Sequence, residues 1–414
     1  MNHAGIQAFR DIIWNATILI VTALPGVQRI VAFWIIARTT DINTLGKLAT
    51  DISLTTIFGF TTAIGWCSLM LVRLPRLRAA RQSQFSVTIA LNAFIVTVAS
   101  ALPLVYLQEA GIIHSAWGTW LLLASWSIYQ LARHYSLARK EYGRLLAYEV
   151  TALCVSLSCL GLVARYGTSW AYSALSLPYL AMGLAWLCRW LASNRAAGLK
   201  HHGRYRDLWS SSQGFALNTG LTAGLMATVV PIAKLTAGDA HAGVAAIVLS
   251  VTQVLVLFPR ALSYHFLVPM SAAFGERDTL QLKKILRRFR LNVAMATAAT
   301  GIAAGLGWHY AGGFMYPGVA AVSQSLTIFT MLVLTYAASQ LALPDSNLLM
   351  CAELARLQFA INLFHTLFYV LGFVIASLLY EDGINRFILI LAVLLAGTCI
   401  RASLIAVSAR KALE

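Results

Sequence analysis

Long apolar runs alternate with short polar linkers along the whole chain. The first, Ile12 to Ile36, is followed by eleven more, and hydropathy places twelve spans at about 12–37, 45–72, 85–107, 116–135, 146–165, 169–190, 209–235, 241–269, 291–311, 319–343, 357–379 and 386–408. Most reach the roughly 20 residues that a helix needs to cross a hydrocarbon layer about 30 Å thick. In lipid a helix satisfies its own backbone hydrogen bonds, which predicts a helix for each run. The expected fold class is all-α, a polytopic membrane protein with twelve transmembrane helices. The opening run is too long for a signal-peptide core and reads as a retained first span.

The linkers fall into two sets. "RLPRLRAARQ", "RHYSLARKEYGR", "RWLASNRAAGLKHHGRYR" and "RDTLQLKKILRRFR" are basic, whereas "QEAGIIHS", "AGDA" and "YEDG" are short and neutral or acidic. The basic side, termini included, holds 23 of the 31 Lys and Arg residues; Arg38, Arg165 and Arg386 fall opposite. The positive-inside rule then places both termini and the basic linkers in the cytoplasm. No linker exceeds about twenty residues, which leaves no room for a soluble domain, so the function is expected within the membrane. "DTLQLKKILRRF" reads as an interfacial helix. Asp278 caps it, Gln281 closes the capping box, and Leu282, Ile285, Leu286 and Phe289 share a face. Its basic side suits anionic lipid headgroups, and its plainer role is to fix topology.

Composition agrees. The 414 residues are 59% hydrophobic and 11% charged, with mean hydropathy +0.72, a balance that soluble domains do not carry. The net charge of +16 is spread between apolar runs instead of forming one basic face, so no nucleic-acid partner is expected. Cys67, Cys154, Cys159, Cys188, Cys351 and Cys399 have no metal or redox spacing and read as small hydrophobes. The nine histidines also lack ligand spacing, with His201 and His202 in a basic loop, so neither a metal nor another cofactor is expected.

The two halves resemble each other. "IIARTTDINTLGKLA" joins spans one and two, and "PIAKLTAGDAHAGVAA" joins spans seven and eight. Each has Ile-Ala-base, a polar turn, then a glycine with alanine three residues on (Gly46 and Ala49; Gly243 and Ala246). Six spans per copy make this a parallel repeat about a pseudo-two-fold along the membrane normal. Its lobes are expected at 1–195, helices 1–6, and 196–414, helices 7–12.

Helical spacing shows which polar residues share a face. Span one aligns Asn15, Thr22, Gly26 and Arg29, with Pro25 free to bend it. Span two aligns Lys47, Asp51, Thr55, Thr62 and Gly65, and Lys47 can pair with Asp51 one turn away. Span seven offers Gln213, Gly220, Gly224, Thr228 and Pro231, with Lys234 near its end; span eight offers Ser250, Gln253, Arg260 and Tyr264. Such stripes must face other helices or a wet cavity. Bases outnumber the intramembrane acids Asp51 and Glu149, which calls for an anionic ligand. Blander roles compete: Arg29 as structural glue to Asp51 or a helix end, Lys234 snorkelling, Arg260 and Arg401 as inner-end anchors, and the glycine pairs as close packing.

At this point the run "NATILIVTALPGVQRIVAFWIIARTTDINTLGKLATDISLTTIFGFTTAIGW" resembles the opening helix pair of the Wzx-type polysaccharide flippases of the multidrug/oligosaccharidyl-lipid/polysaccharide (MOP) superfamily. "VLVLFPRALSYHFLVPMSAAFGERDTLQLKKILRRFR" is similar to that superfamily's eighth helix and following loop. The resemblance implies a V-shaped pair of six-helix bundles in the bacterial inner membrane, flipping an undecaprenyl-diphosphate-linked oligosaccharide such as an O-antigen unit for lipopolysaccharide biosynthesis. It implies diphosphate-binding roles for Arg29, Lys47 and Arg260.

On this reading Lys234 adds charge, and Gln253, Asn15, Thr22 and Tyr264 address sugar hydroxyls. Pro25 and Pro231 are bending points. No phosphate loop is present, so ATP is not needed; proton or sodium coupling through Asp51 stays open. Partners would be membrane lipids and other surface-polysaccharide assembly proteins. Two alternatives stand beside it: a multidrug exporter of the same superfamily, and a membrane enzyme that polymerises or ligates lipid-linked glycans. The enzyme is disfavoured by short outer linkers and the lack of a nucleophile or acid pair.

Overall fold

The computed structural model describes residues 3–77, 79–139, 141–167, 170–194, 205–316, 318–352 and 354–413. His201, His202 and most of the basic linker around them lie outside these. Among the described residues there is no strand, and twelve long helices follow the twelve apolar runs. They are α1 (His3–Thr39), α2 (Ile42–Arg73), α3 (Arg81–Glu109), α4 (Ala116–Ala138), α5 (Tyr142–Tyr166) and α6 (Ala171–Asn194). Then come α7 (Asp207–Ala237), α8 (Asp239–Gly275), α9 (Thr279–Met315), α10 (Ser325–Cys351), α11 (Ala355–Leu379) and α12 (Gly383–Lys411). Among the described residues, ten of these have a span long and apolar enough to cross a membrane. Large apolar side chains such as Leu102, Leu306 and Leu378 stay exposed on them, a liability in water and the natural surface in lipid. The protein is an all-α, multi-pass membrane protein.

Several helices outrun their apolar cores. The clearest correction is "DTLQLKKILRRF": it is the first turns of α9, not a separate interfacial helix. No glycine or proline breaks the chain there. Leu282 and Leu286 are buried in protein with Met270, Ala342 and Ile405, and Phe289 is buried against Phe266, instead of lying on lipid. Asp278 does cap it, accepting from the Gln281 amide at 2.9 Å.

The chain forms two compact units: Met1–Thr40 with Lys47–Pro231, and Asp41–Gly46 with Ile232–Glu414. A division at 195/196 is one of repeats; this one is of packing, and it leaves α7 as far as Pro231 in the first unit. One core of that unit joins Trp66, Met70, Leu74, Ile89, Tyr135, Trp186 and Trp209, with Trp66 edge-on to Trp209 at 5.2 Å. The second unit's core gathers around Leu348, Leu349, Leu286 and Ile405.

The repeat leaves a physical trace in the second unit. A β-carbon on Gly46 would collide with the Asp239 carbonyl, and one on Gly243 would stand 2.6 Å from the Ile42 carbonyl oxygen. Each glycine meets the residue four places before the other. This is the reciprocity that a two-fold-related pair requires, and it explains why the two linkers share a glycine at that place.

Candidate substrate pocket

A cavity of about 80 Å³ opens inside the first unit. Four helices wall it: Gln28, Arg29 and Ala32 from α1, Ile52, Thr55 and Thr56 from α2, Leu122 and Trp126 from α4, and Leu175 and Tyr179 from α6. Arg29 is the one charged residue in this lining. Its guanidinium lies over the Phe33 ring, 5.8 Å from the centroid, a cation–π contact. The threonine hydroxyls turn back on their own helix: Thr55 donates to Asp51 O at 3.0 Å and Thr56 to Ile52 O at 3.1 Å. The walls are therefore mostly apolar and aromatic, with Gln28 and Arg29 as polar heads.

Two carboxylates lie near these helices. Asp51 is wholly buried. It accepts from the Tyr172 hydroxyl and from the backbone amides of His114 at 3.0 Å and Ser115 at 3.2 Å, holding the start of α4 against α2. Lys47, its expected partner, is exposed. Glu149 on α5 accepts from the Tyr129 hydroxyl at 2.8 and 3.0 Å and sits 3.2 Å from Arg133 Nε. Arg133 belongs to α4, so it is not a linker charge; a helix continuing to Ala138 turns it inward. Tyr129 in turn packs on Tyr179 at 4.8 Å. A polar chain thus runs from Glu149 to the pocket wall.

The remaining expected site residues lie as follows. Pro25 is inside α1 and half-buried, and Pro231 is inside α7 and buried. Lys234 stands in the second unit, 3.8 Å from Asp239 Oδ1. Arg260, after buried Pro259 on α8, is exposed. Asn15 and Thr22 are on α1 and Gln253 and Tyr264 on α8, with side chains outside those described. Arg401, expected as an inner-end anchor, instead donates from Nε to Asn362 Oδ1 on α11 at 2.7 Å. Among the described residues no group of three or more His, Cys, Asp or Glu could hold a metal. Sequence reading missed Gln28, Trp126 and Tyr179. Gln28 beside Arg29 carried a visible signal, whereas an aromatic in an apolar span does not.

No protein-family model and no curated protein matches the chain. Solved structures do. The inward-facing conformation of a multidrug resistance MATE family transporter of the MOP superfamily matches with a TM-score of 0.74, covering 96% of this chain and 98% of that one at 13% identity. The fold is that of the MATE transporters. A eukaryotic MATE transporter matches at 0.65 with 16% identity, covering 96% of each chain. The outward-facing conformation of a multidrug resistance MATE family transporter matches at 0.61 with 13% identity, over 96% and 94%. At such identities the MATE likeness is one of architecture, and cargo has to be argued from the site.

Proposed function

We propose that this protein is an alternating-access exporter of amphipathic anions, and that Arg29 binds the anionic head. One observation carries the reading: the single charged group in the pocket lining is a guanidinium. A charged arginine at mid-span costs about 2.5–3.5 kcal/mol on insertion scales, and a phosphate or carboxylate in the pocket would offset that with charge-assisted hydrogen bonds. The aromatic walls would take the flanking apolar part of the cargo. Fold relatives in inward- and outward-facing forms support rocking between two access states, with Pro25 and Pro231 as candidate bends.

Two cargo classes fit. The solved multidrug transporters favour small drug-like molecules, here anionic ones. The resemblance of the first helix pair and the cavity's charge favour an undecaprenyl-diphosphate-linked oligosaccharide. That cargo would place only its head in so small a cavity. Two negative charges moving outward against a potential of about 100 mV, inside negative, gain about 4.6 kcal/mol, so such a flippase needs no ATP. The test is a deletion strain. Undecaprenyl-linked oligosaccharide accumulating on the inner face supports the flippase; sensitivity to anionic compounds without glycan accumulation supports the drug exporter. Neither outcome, or selective sensitivity to cationic drugs, overturns the anionic reading.

A further inference from the structure

Three arginines from three separate stretches converge on one carboxylate in the first unit. Arg139 follows the last turn of α4, Arg144 is in the first turn of α5, and Arg189 is near the end of α6. Arg139 Nε lies 3.3 Å from Glu141 Oε1, while Arg144 Nη1 and Arg189 Nη2 lie 3.4 and 3.1 Å from Oε2. The local fold sets this carboxylate in place. Glu141 is the N-cap of α5: its amide donates to Ser136 O at 2.9 Å, and its carbonyl accepts from the Leu145 amide at 3.0 Å. Tyrosines steady two of the guanidiniums. Arg139 donates to the Tyr135 hydroxyl at 2.7 Å and lies over its ring, and Arg189 donates to the Tyr148 hydroxyl.

Neither stability nor topology accounts for the cluster. Three positive charges meet one negative charge, so like charges crowd together, and the three side chains keep between 37% and 61% of their surface exposed. Exposed ion pairs contribute little to stability. Charges that fix orientation need only flank a span; they need not be gathered from three helices onto one acid. The position adds a second requirement. The cluster lies where α4 ends, α5 begins and α6 ends, the level at which apolar helices give way to polar linkers. On the turns leading back from it, α5 exposes Val150 and Leu157, and α6 exposes Leu184 and Leu177. That surface suits acyl chains, and at its head stand guanidiniums, whose planar forks bind phosphate oxygens in pairs.

We propose that Arg139, Arg144 and Arg189 form a binding site for the phosphates of an anionic glycerophospholipid, with Glu141 holding the three guanidiniums in array. The excess of two positive charges fits a headgroup that carries two phosphates, as in diphosphatidylglycerol. Basic pockets at the ends of membrane helices take such headgroups because charge and acyl contact act together. The site shares no residue with the pocket lined by Arg29, and it does not depend on what the protein exports.

The experiment titrates diphosphatidylglycerol into the purified full chain in detergent and counts bound lipid by native mass spectrometry, with phosphatidylcholine as the zwitterionic control. Wild type is expected to take up diphosphatidylglycerol saturably and phosphatidylcholine without saturation; equal uptake of the two overturns the site. Arg139→Gln with Arg144→Gln leaves Arg189 on Glu141 and is expected to weaken binding about 25-fold, or about fivefold per arginine. Lys283→Gln with Arg287→Gln removes the same charge from exposed positions on α9 and is expected to leave binding unchanged. Equal losses from the two pairs assign the effect to general surface charge and overturn the site, as does wild-type binding by the first pair. Should the first pair fail to assemble, Arg144→Gln alone, at the most exposed of the three guanidiniums, decides by a loss of about fivefold or none. Inorganic pyrophosphate separates a lipid from a soluble ligand. Lacking acyl chains, it is expected to bind at least about tenfold more weakly than the lipid, and equal affinity overturns the lipid assignment.

Discussion

Each unit holds an arginine inside its bundle, and the two units deal with it differently. In the first, Arg133 lies 3.2 Å from Glu149, whose carboxylate also takes the Tyr129 hydroxyl. In the second, Arg401 donates to a neutral amide, Asn362, on the neighbouring α11. The first cluster is a closed acid–base pair, and its two charges were desolvated together. The second is a cation solvated by protein dipoles, which is cheaper to build and cheaper to break. The comparison shows what a membrane-depth base does and does not signify. Arg133 and Arg401 both occur in runs that read as anchors or linkers, and both serve the scaffold. Arg29 is set apart by lining a cavity, not by its charge.

The difference can be broken by substitution. Glu149→Ala strands Arg133 in the bundle and is expected to cost the most, about 3–5 kcal/mol, read as a lowered thermal midpoint in detergent. Adding Arg133→Met should recover much of that loss, since the cost lies in the orphaned charge. Asn362→Ala removes one charge-assisted bond and is expected to cost about 2 kcal/mol. If it costs more than Glu149→Ala, the contrast between the clusters is inverted. Tyr129→Phe, which keeps the ion pair and its packing on Tyr179, should cost about 1.5 kcal/mol.

A cap outside both clusters supplies the smallest effect. Asp41 accepts from the amides of Asn43 and Thr44 at 2.9 Å and from the Thr44 hydroxyl at 2.6 Å, and these bonds, the hydroxyl first, hold its carboxyl below the usual 3.8. Asp41→Ala should cost about 1 kcal/mol. With the folded value depressed, the contribution is complete above about pH 4 and fades as pH falls through the lower folded value, so wild type and variant should converge in acid.

Hydropathy alone was enough to read twelve helices, because a bilayer demands continuous apolar stretches and little else competes. The paired glycines at 46 and 243 were legible for a similar reason: a backbone crossing admits no side chain. Individual partners were not. One-turn spacing suggested Lys47 for Asp51, but two amides just before α4 and a tyrosine hydroxyl of α6 outcompete an exposed lysine. The basic string "RHYSLARKEYGR" counted Arg133 as a linker charge, since sequence alone cannot tell a solvated arginine from one turned toward a glutamate on the next helix.

The central claim is that Arg29 makes the first unit's cavity an anion site. Its most direct test is binding of undecaprenyl diphosphate and of a cationic amphiphile to purified protein, wild type against Arg29→Gln, at matched thermal midpoints. The account predicts that the diphosphate lipid binds wild type and loses at least about tenfold in affinity, or about 1.4 kcal/mol, in the variant, with the cation indifferent to the change. Equal binding of the diphosphate by both proteins, or preferential binding of the cation by wild type, would contradict it.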